Sequence, residues 1–377
     1  MNATLPIVPR RPDGEAPSGS PVAAVHLLGV DVEELRAGLV DAGQPRYRAE
    51  QIAEWVYQKE ADSFEQMSNL PKALRVLLGE QYRIYCGQIT RQSVSEDGTR
   101  KLLLTWPDGA AVETVWIPED PRHTACLSSQ VGCPVGCRFC ASGLGGLQRN
   151  LTAGEIVEQA LRVRRLIREV AGPDAVTPPR LTNVVLMGMG EPLANYHEVV
   201  KAIRILNAPW GLGIGARKIT LSTVGLPQQI RRLADEKLQL NLALSLHAPD
   251  QTLRHELIPW GKVPLPELLA ACEDYFRQTG REITLEYVLL DGVNNLPQHA
   301  RQLAHLARRL RGNVNLLRYN PVPGLPYVRP SAEAAYEFQR LLRDGGINAH
   351  VRTSRGRDID AACGQLRRAS QSEPTTA

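Results

Sequence analysis

Residues 133–140 read CPVGCRFC and set Cys133, Cys137 and Cys140 at CxxxCxxC spacing, directly after a strand-like stretch near 124–130. Three thiolates this close on one loop suit three irons of a [4Fe-4S] cube and leave the fourth iron open to a ligand. The open iron is what makes such a site catalytic. Structural zinc is the alternative, but it normally takes four protein ligands, usually as two separated pairs. No second CxxC is present, so zinc would have to recruit Cys126 or His123.

Beyond this motif, strand candidates recur near 183–188, 218–223, 240–246, 283–289, 313–318 and 347–352, with helical patterns between them. Thr152 with Glu155 forms a capping-box signature that starts the first of these helices. Alternating strands and helices make βαβ units and hence a parallel sheet. Six or seven units fall short of the eight in a full barrel, so the expected fold class is α/β, a partial (β/α)6-type barrel. Before the motif, apolar residues at helical spacing (Val32, Leu35, Leu39; Ile52, Trp55, Val56; Leu74, Leu77, Leu78) predict three short helices. From 87 to 118 the period becomes strand-like, with turn signals at Asp97-Gly98 and Asp108-Gly109, which predicts a short β-meander. The expected divisions are a flexible tail over 1–28, an N-terminal helical accessory domain with hairpins over 29–112, a barrel core over 113–355 and a C-terminal segment over 356–377.

A chain of 377 residues with 43% hydrophobic and 22% charged residues has enough apolar content for a large core and is neither disordered nor fibrous in composition. Seven cysteines, without a basic start and long apolar stretch to suggest secretion, argue against a disulfide-stapled extracellular protein and for metal or thiol chemistry in the cytoplasm. No run of 18 or more apolar residues suggests a membrane span.

The stretches ACLSSQVGCPVGCRFCASGLGGLQRNL, VVLMGMGEPLANY, ARKITLSTVG, LALSLHAP and DIDAACGQL, in this order between Glu113 and about Leu366, resemble the dual-specificity RNA adenine-C2-methyltransferase family. These are radical S-adenosylmethionine (SAM) enzymes that modify large-subunit ribosomal RNA and transfer RNA. RYRAEQIAEWVYQK and FEQMSNLPK extend the likeness, less specifically, into the N-terminal helices. The resemblance implies a radical SAM barrel, a [4Fe-4S] cluster on Cys133, Cys137 and Cys140, and two SAM molecules per turnover. It assigns SAM contacts to Gly190 and Glu191, Ser222, Ser245, Leu246 and His247, and Asn320. Each falls at or just past the C-terminal end of an expected parallel strand, where α/β barrels assemble ligand sites. Taken singly, Gly190 reads equally as a turn glycine, Ser222 as a strand-end cap and His247 as a core histidine.

The resemblance also gives Cys363 the part of methyl carrier, first methylated by SAM and then joined to the base through that methyl carbon. Cys126 would resolve this adduct through a transient Cys126–Cys363 disulfide, and Glu113 would accept a proton. Without the resemblance, the two cysteines read as inert buried thiols and Glu113 as a solvent-facing charge. Cys86 and Cys272 match no motif. Cys272, in LLAACEDYF, reads as a packed helix residue.

Net charge is only +4, too slight to announce a nucleic-acid partner, but basic residues cluster. Lys201, Arg204, Arg217, Lys218, Arg231 and Arg232 occupy one acid-free stretch, and Arg301, Arg308, Arg309, Arg311, Arg318 and Arg329 another. These are candidate phosphate contacts or solvated helix faces. The resemblance further implies a monomer served by an electron donor such as flavodoxin or ferredoxin. Two other readings stand beside it: a related enzyme that methylates carbon 8 of adenine, and a noncatalytic RNA-binding protein with a structural metal.

Overall fold

The computed structural model describes residues 24–173, 175, 179–260 and 263–367. The N-terminal part begins with a short strand, β1 (Val25–His26), and three helices, α1 (Val32–Asp41), α2 (Arg48–Ala53) and α3 (Lys72–Gln81). Asp31 caps α1 in a capping box with Glu34, which satisfies amides left open at the helix start. After β2 (Tyr82–Arg83), the strands β3 (Gln88–Val94), β4 (Arg100–Thr105) and β5 (Ala111–Glu119) form the expected meander.

β6 (Arg122–Cys126) opens the βα series. A hairpin of β7 (Gln130–Gly132) and β8 (Leu147–Asn150) then frames the CPVGCRFC loop before α4 (Ala153–Ala171). Next come β9 (Asn183–Leu186), α5 (Tyr196–Asn207), β10 (Ile219–Thr223), α6 (Pro227–Asp235) and β11 (Asn241–Ser245). The last third holds α7 (Gln251–Leu257), α8 (Leu265–Thr279), β12 (Ile283–Leu289), α9 (Pro297–Leu310), β13 (Asn313–Arg318), α10 (Ala332–Asp344) and β14 (Ala349–Arg352). All seven expected strands of the series are present, and the Thr152–Glu155 capping box starts α4.

One ten-stranded sheet runs in the order β14-β13-β12-β11-β10-β9-β6-β5-β4-β3. From β6 to β14 every pairing is parallel, so the C-terminal ends of seven strands share one face. The sheet is the open, partial barrel that the sequence predicts. Two expected boundaries are displaced. The meander pairs through β5 and β6 with the barrel sheet, and β5 crosses the division expected between 112 and 113. Backbone pairing, which composition cannot register, makes the meander an extension of the core. The expected tail over 1–28 also ends earlier. Residues 1–23 lie outside the described residues, but β1 pairs with β2, and Leu27 and Leu28 are buried.

This N-terminal segment docks on α4 through a buried carboxylate. Glu158, fully buried, accepts the N–H groups of Cys86 and Gly87 and pairs with Arg162 and His26. A carboxylate without water needs such partners. Gly154 admits the contact, since a Cβ there would lie 2.6 Å from the His26 ring. Burial alone would lower the His26 imidazole, but Cys86 and Glu158 together push it up to about 9. A raised folded-state pKa stabilises below the unfolded value near 6.5, and the benefit disappears as pH climbs through about 9. Chemical denaturation at pH 6 and pH 9.5 should therefore show wild type losing up to about 3 kcal/mol across this window, and His26→Gln losing much less.

Candidate active site

The C-terminal ends of β9 to β13 and the CPVGCRFC loop surround a solvent-open cavity of about 160 Å³. Cys133, Cys137 and Cys140 all line it. Their loop is shaped by glycine at Gly132, where φ is +78° and a Cβ would fall 2.0 Å from the Gly146 oxygen. The Cys133 N–H donates to that oxygen, and the Cys140 N–H donates to the Cys137 oxygen in a tight turn. Val135 and Phe139 pack between the thiols and α7. Burial pushes the Cys133 thiol up to about 12 and raises Cys137 and Cys140 as well. Metal binding at such thiols must release protons. The extra donors that zinc would recruit are engaged elsewhere: the His123 ring accepts the Trp116 indole N–H at 3.2 Å, and Cys126 is buried on β6. Three thiols facing one cavity from one loop fit three corners of an iron–sulfur cube.

The strand ends supply the opposite wall. Gly190 has φ +107°, and a Cβ there would meet Gln130 Cβ and Ser129 Oγ at 2.7 Å. Glu191, nearly fully buried, accepts the N–H groups of Leu193 and Val224 at 3.0 and 2.8 Å. Burial nevertheless raises its carboxyl to about 7. Ser222 and Ser245, on neighbouring strands, are joined hydroxyl to hydroxyl at 3.0 Å. His247 stands just past β11 with φ +56°, a left-handed conformation uncommon for a side chain of this size. Burial, with Arg254 nearby, lowers its imidazole to about 3, so it is neutral. Its Nδ1 accepts the Val288 N–H at 3.1 Å, which puts the ring proton on Nε2 and makes that atom a donor. Leu246 is buried behind this wall, and its N–H donates to the Glu286 carbonyl.

The C-terminal segment closes one side. Beyond β14, Asp358 accepts from Ser95 and Glu96 in the β3–β4 turn, the Gly356 N–H donates to Asp97, and Lys101 donates to the Asp360 carbonyl. The Ala141 N–H donates to Gly364, Ser142 Oγ to Leu366, and Asn320 Nδ2 to the Cys363 carbonyl. Cys363 thereby lines the cavity with the three motif cysteines, although part of its surface is exposed. Burial pushes its thiol up to about 11, reinforced by Glu286 and Cys140. Cys126 lies behind the wall with its thiol held toward the Met187 N–H, and burial and the neighbouring Cys363 raise it. Glu113 is buried rather than solvent-facing. It pairs with Lys101 at 2.8 Å and accepts the Arg367 N–H, so it grips the same C-terminal segment.

Residues 25–84 match the family model of the ribosomal RNA large subunit methyltransferase N-terminal domain, and residues 127–306 match the radical SAM superfamily. The probable dual-specificity RNA methyltransferase RlmN of Gloeobacter violaceus is 48% identical over 347 residues, 92% of this chain and 96% of its own. Its counterpart from Syntrophomonas wolfei is 45% identical over 348 residues, 91% and 97% of the two chains. This chain belongs to the RlmN family. A crystal structure of a radical SAM methyltransferase from Sphaerobacter thermophilus, 46% identical, superposes with a TM-score of 0.87 over 91% of this chain and 99% of that one. The cofactors are those of radical SAM enzymes, a [4Fe-4S] cluster and SAM.

Beyond the residues that the RlmN likeness marks, the cavity holds Glu286, which sequence reading missed. The signal was available: one acid at the centre of the apolar strand ITLEYVL. The Asn315 amide donates to it at 2.9 Å, and burial raises it to about 7. The basic stretches divide. Lys201 pairs with Glu34, Arg204 with Glu236, Arg231 with Asp274 and Arg309 with Glu273, so acids from other elements neutralise residues that look uncompensated in sequence. Arg318 instead lines the cavity, and Arg329 stands next to that wall, donating to the Arg318 and Tyr319 carbonyls and to Asn320 Oδ1; burial together with Arg357 and Arg318 lowers the Arg329 guanidinium to about 10. Cys272 is fully buried on α8, as a packed helix residue.

Gly190→Ala should destabilise the protein by about 1–3 kcal/mol in thermal or urea melts, from its positive φ and the short contacts. Gly215→Ala, with φ −55° and open space around the added carbon, should stay within about 0.5 kcal/mol of wild type.

Proposed function

We propose that the protein methylates carbon 2 of an adenine in large-subunit ribosomal RNA and in transfer RNA, with Cys363 as the methyl carrier. One observation carries this reading: in a chain of the RlmN family, Cys363 shares a single cavity with Cys133, Cys137 and Cys140. Carbon 2 of adenine has no nucleophilic character, so direct polar attack on the SAM methyl is unproductive. The bound cluster and SAM supply hydrogen-abstracting radical chemistry, and the protein binds and orients the reactants.

Cys133, Cys137 and Cys140 hold the cluster. Gly190, Glu191, Ser222, Ser245, His247 and Asn320 would surround SAM, with the His247 Nε2–H and the two joined hydroxyls as polar contacts and Leu246 backing that wall from behind. The Cys363 sulfur takes the methyl as the sulfonium bond breaks, and Glu286 accepts the thiol proton. Asn320 holds the Cys363 backbone still by its carbonyl. The methyl carbon, having lost one hydrogen, joins C2, and the adduct passes its odd electron back to the redox centre. Glu113 then takes the C2 proton, and Cys126, losing its thiol proton, attacks the Cys363 sulfur. The C–S bond breaks with its electron pair on the former methyl carbon, which takes up a proton as the methylated RNA leaves. The resulting disulfide returns to thiols by exchange with an external dithiol, which is oxidised in its place.

A base altered on its ring edge must be looped out or flipped to enter this cavity. Arg318 on the cavity wall, with the charges of Arg329 and Arg357 close to it, favours the phosphates that accompany it. Among the described residues no helix is long and apolar enough to cross a membrane. We place the enzyme in the cytoplasm, as a monomer fed electrons by a flavodoxin- or ferredoxin-type donor.

Nucleoside mass spectrometry of RNA treated with anaerobically reconstituted protein should show 2-methyladenosine. Detection of 8-methyladenosine alone would refute the C2 assignment, and a colourless protein with stoichiometric zinc would refute the enzyme. Cys126→Ala should still methylate Cys363 but accumulate a covalent protein–RNA adduct, visible as a shifted band. Glu286→Gln should slow methylation of Cys363, followed by peptide mass spectrometry, by about 10²-fold or more while iron content stays at the wild-type level.

A further inference from the structure

Arg254, in α7, is among the largest fully buried side chains of the protein, with 2% of its surface exposed. One guanidinium N–H donates to the Val224 carbonyl, and Nε has no partner. No carboxylate among the described residues pairs with it; burial lowers its guanidinium, and the only groups that oppose this are two sulfurs, Cys137 and Cys272. Glu191 accepts the N–H of Val224 from which Arg254 takes the carbonyl, but burial raises Glu191 toward its neutral acid. A buried cation left in this state is strongly unfavourable, so an anion is expected nearby.

α7 is packed against the cysteine loop. Leu253, Leu257 and Ile258 share an apolar cluster with Val135 and Phe139, against which all three motif cysteines pack. The Arg138 N–H donates to the Leu257 carbonyl at 3.0 Å, tying the loop to the end of the helix. Arg254 is not among the residues that line the cavity; it bonds the Val224 carbonyl at the back of that wall, close to both Cys137 and His247. Three thiolates outweigh the positive charge of an oxidised cluster core, which makes the assembly anionic. One electron from an external low-potential donor makes it more so.

We propose that Arg254 is the built-in counter-charge of the cluster, a buried cation on the helix packed against the cysteine loop that stabilises the reduced state and thereby sets the reduction potential. This rests on Cys133, Cys137 and Cys140 being the cluster ligands. Net charge and its surroundings are among the levers by which proteins tune such clusters. Arg254 is thus a positioning and tuning residue that never touches RNA.

The test uses full-length protein reconstituted anaerobically with iron and sulfide, without SAM or RNA, and a redox titration followed by electron paramagnetic resonance. Arg254→Gln retains a donor for the Val224 carbonyl but loses the charge, Arg254→Met removes both, and Arg254→Lys keeps the charge. Gln and Met should lower the reduced-to-oxidised ratio at a fixed potential about tenfold or more, a midpoint about 59 mV more negative, whereas Lys should stay close to wild type. Without the cluster, Gln and Met should melt at or above the wild-type temperature, because an unpaired buried charge has been removed. An unchanged midpoint in the neutral variants, or an equal shift in Lys, overturns the proposal. So does failure of both neutral variants to fold as apoproteins. If wild type itself forms no cluster, the ligand assignment has failed instead, and the iron content of wild type separates that case.

Discussion

A parallel sheet that stops short of closing leaves two unlike ends, here β14 and β3, and a cavity open along one side. The chain solves this with its own continuation. The segment after β14 returns to the β3–β4 turn and is fastened there by Asp358, Asp97 and Lys101, while Ala141, Ser142 and Asn320 hold its far half to the cysteine loop and the end of β13. Nearly every feature of the site depends on this return. It brings Cys363, more than two hundred residues from the CPVGCRFC loop in sequence, to the same cavity. It also explains the meander, whose turn and strands provide the fastening.

Electrostatically, the interior is arranged for a guest. Burial holds the three motif thiols, Glu191 and Glu286 toward their protonated forms, keeps His247 neutral and leaves Arg254 charged without a carboxylate. In an empty protein these are costs. An anionic cluster is of the right sign for Arg254, and a cationic cofactor for Glu191 and Glu286.

Much of this was legible in sequence because it is local. The CxxxCxxC spacing, the Thr152–Glu155 cap and the seven strand candidates each depend on residues within a few positions of one another, and the structure contains all of them. What escaped depends on distant neighbours. The meander joins the barrel through the pairing of β5 with β6. The acids that neutralise Lys201 and Arg309 come from α1 and α8. Residues 25–28 resemble a tail until Glu158 is seen beneath His26. Glu286 was visible as an acid in an apolar strand, but only the sheet register shows that it faces Cys363's cavity rather than solvent.

The two cysteines of the proposed exchange differ in how they are held. Cys126 sits on a strand paired on both sides, with Val115 and Val185 as its ladder partners. Cys363 sits in a turn fastened by a handful of side-chain and loop hydrogen bonds. If the sulfurs are to meet, the ladder resists displacement far more than the turn does. In the proposed exchange Cys126 is therefore the fixed partner, and whatever approach the two sulfurs need falls to the turn that carries Cys363, within the limits its fastenings set.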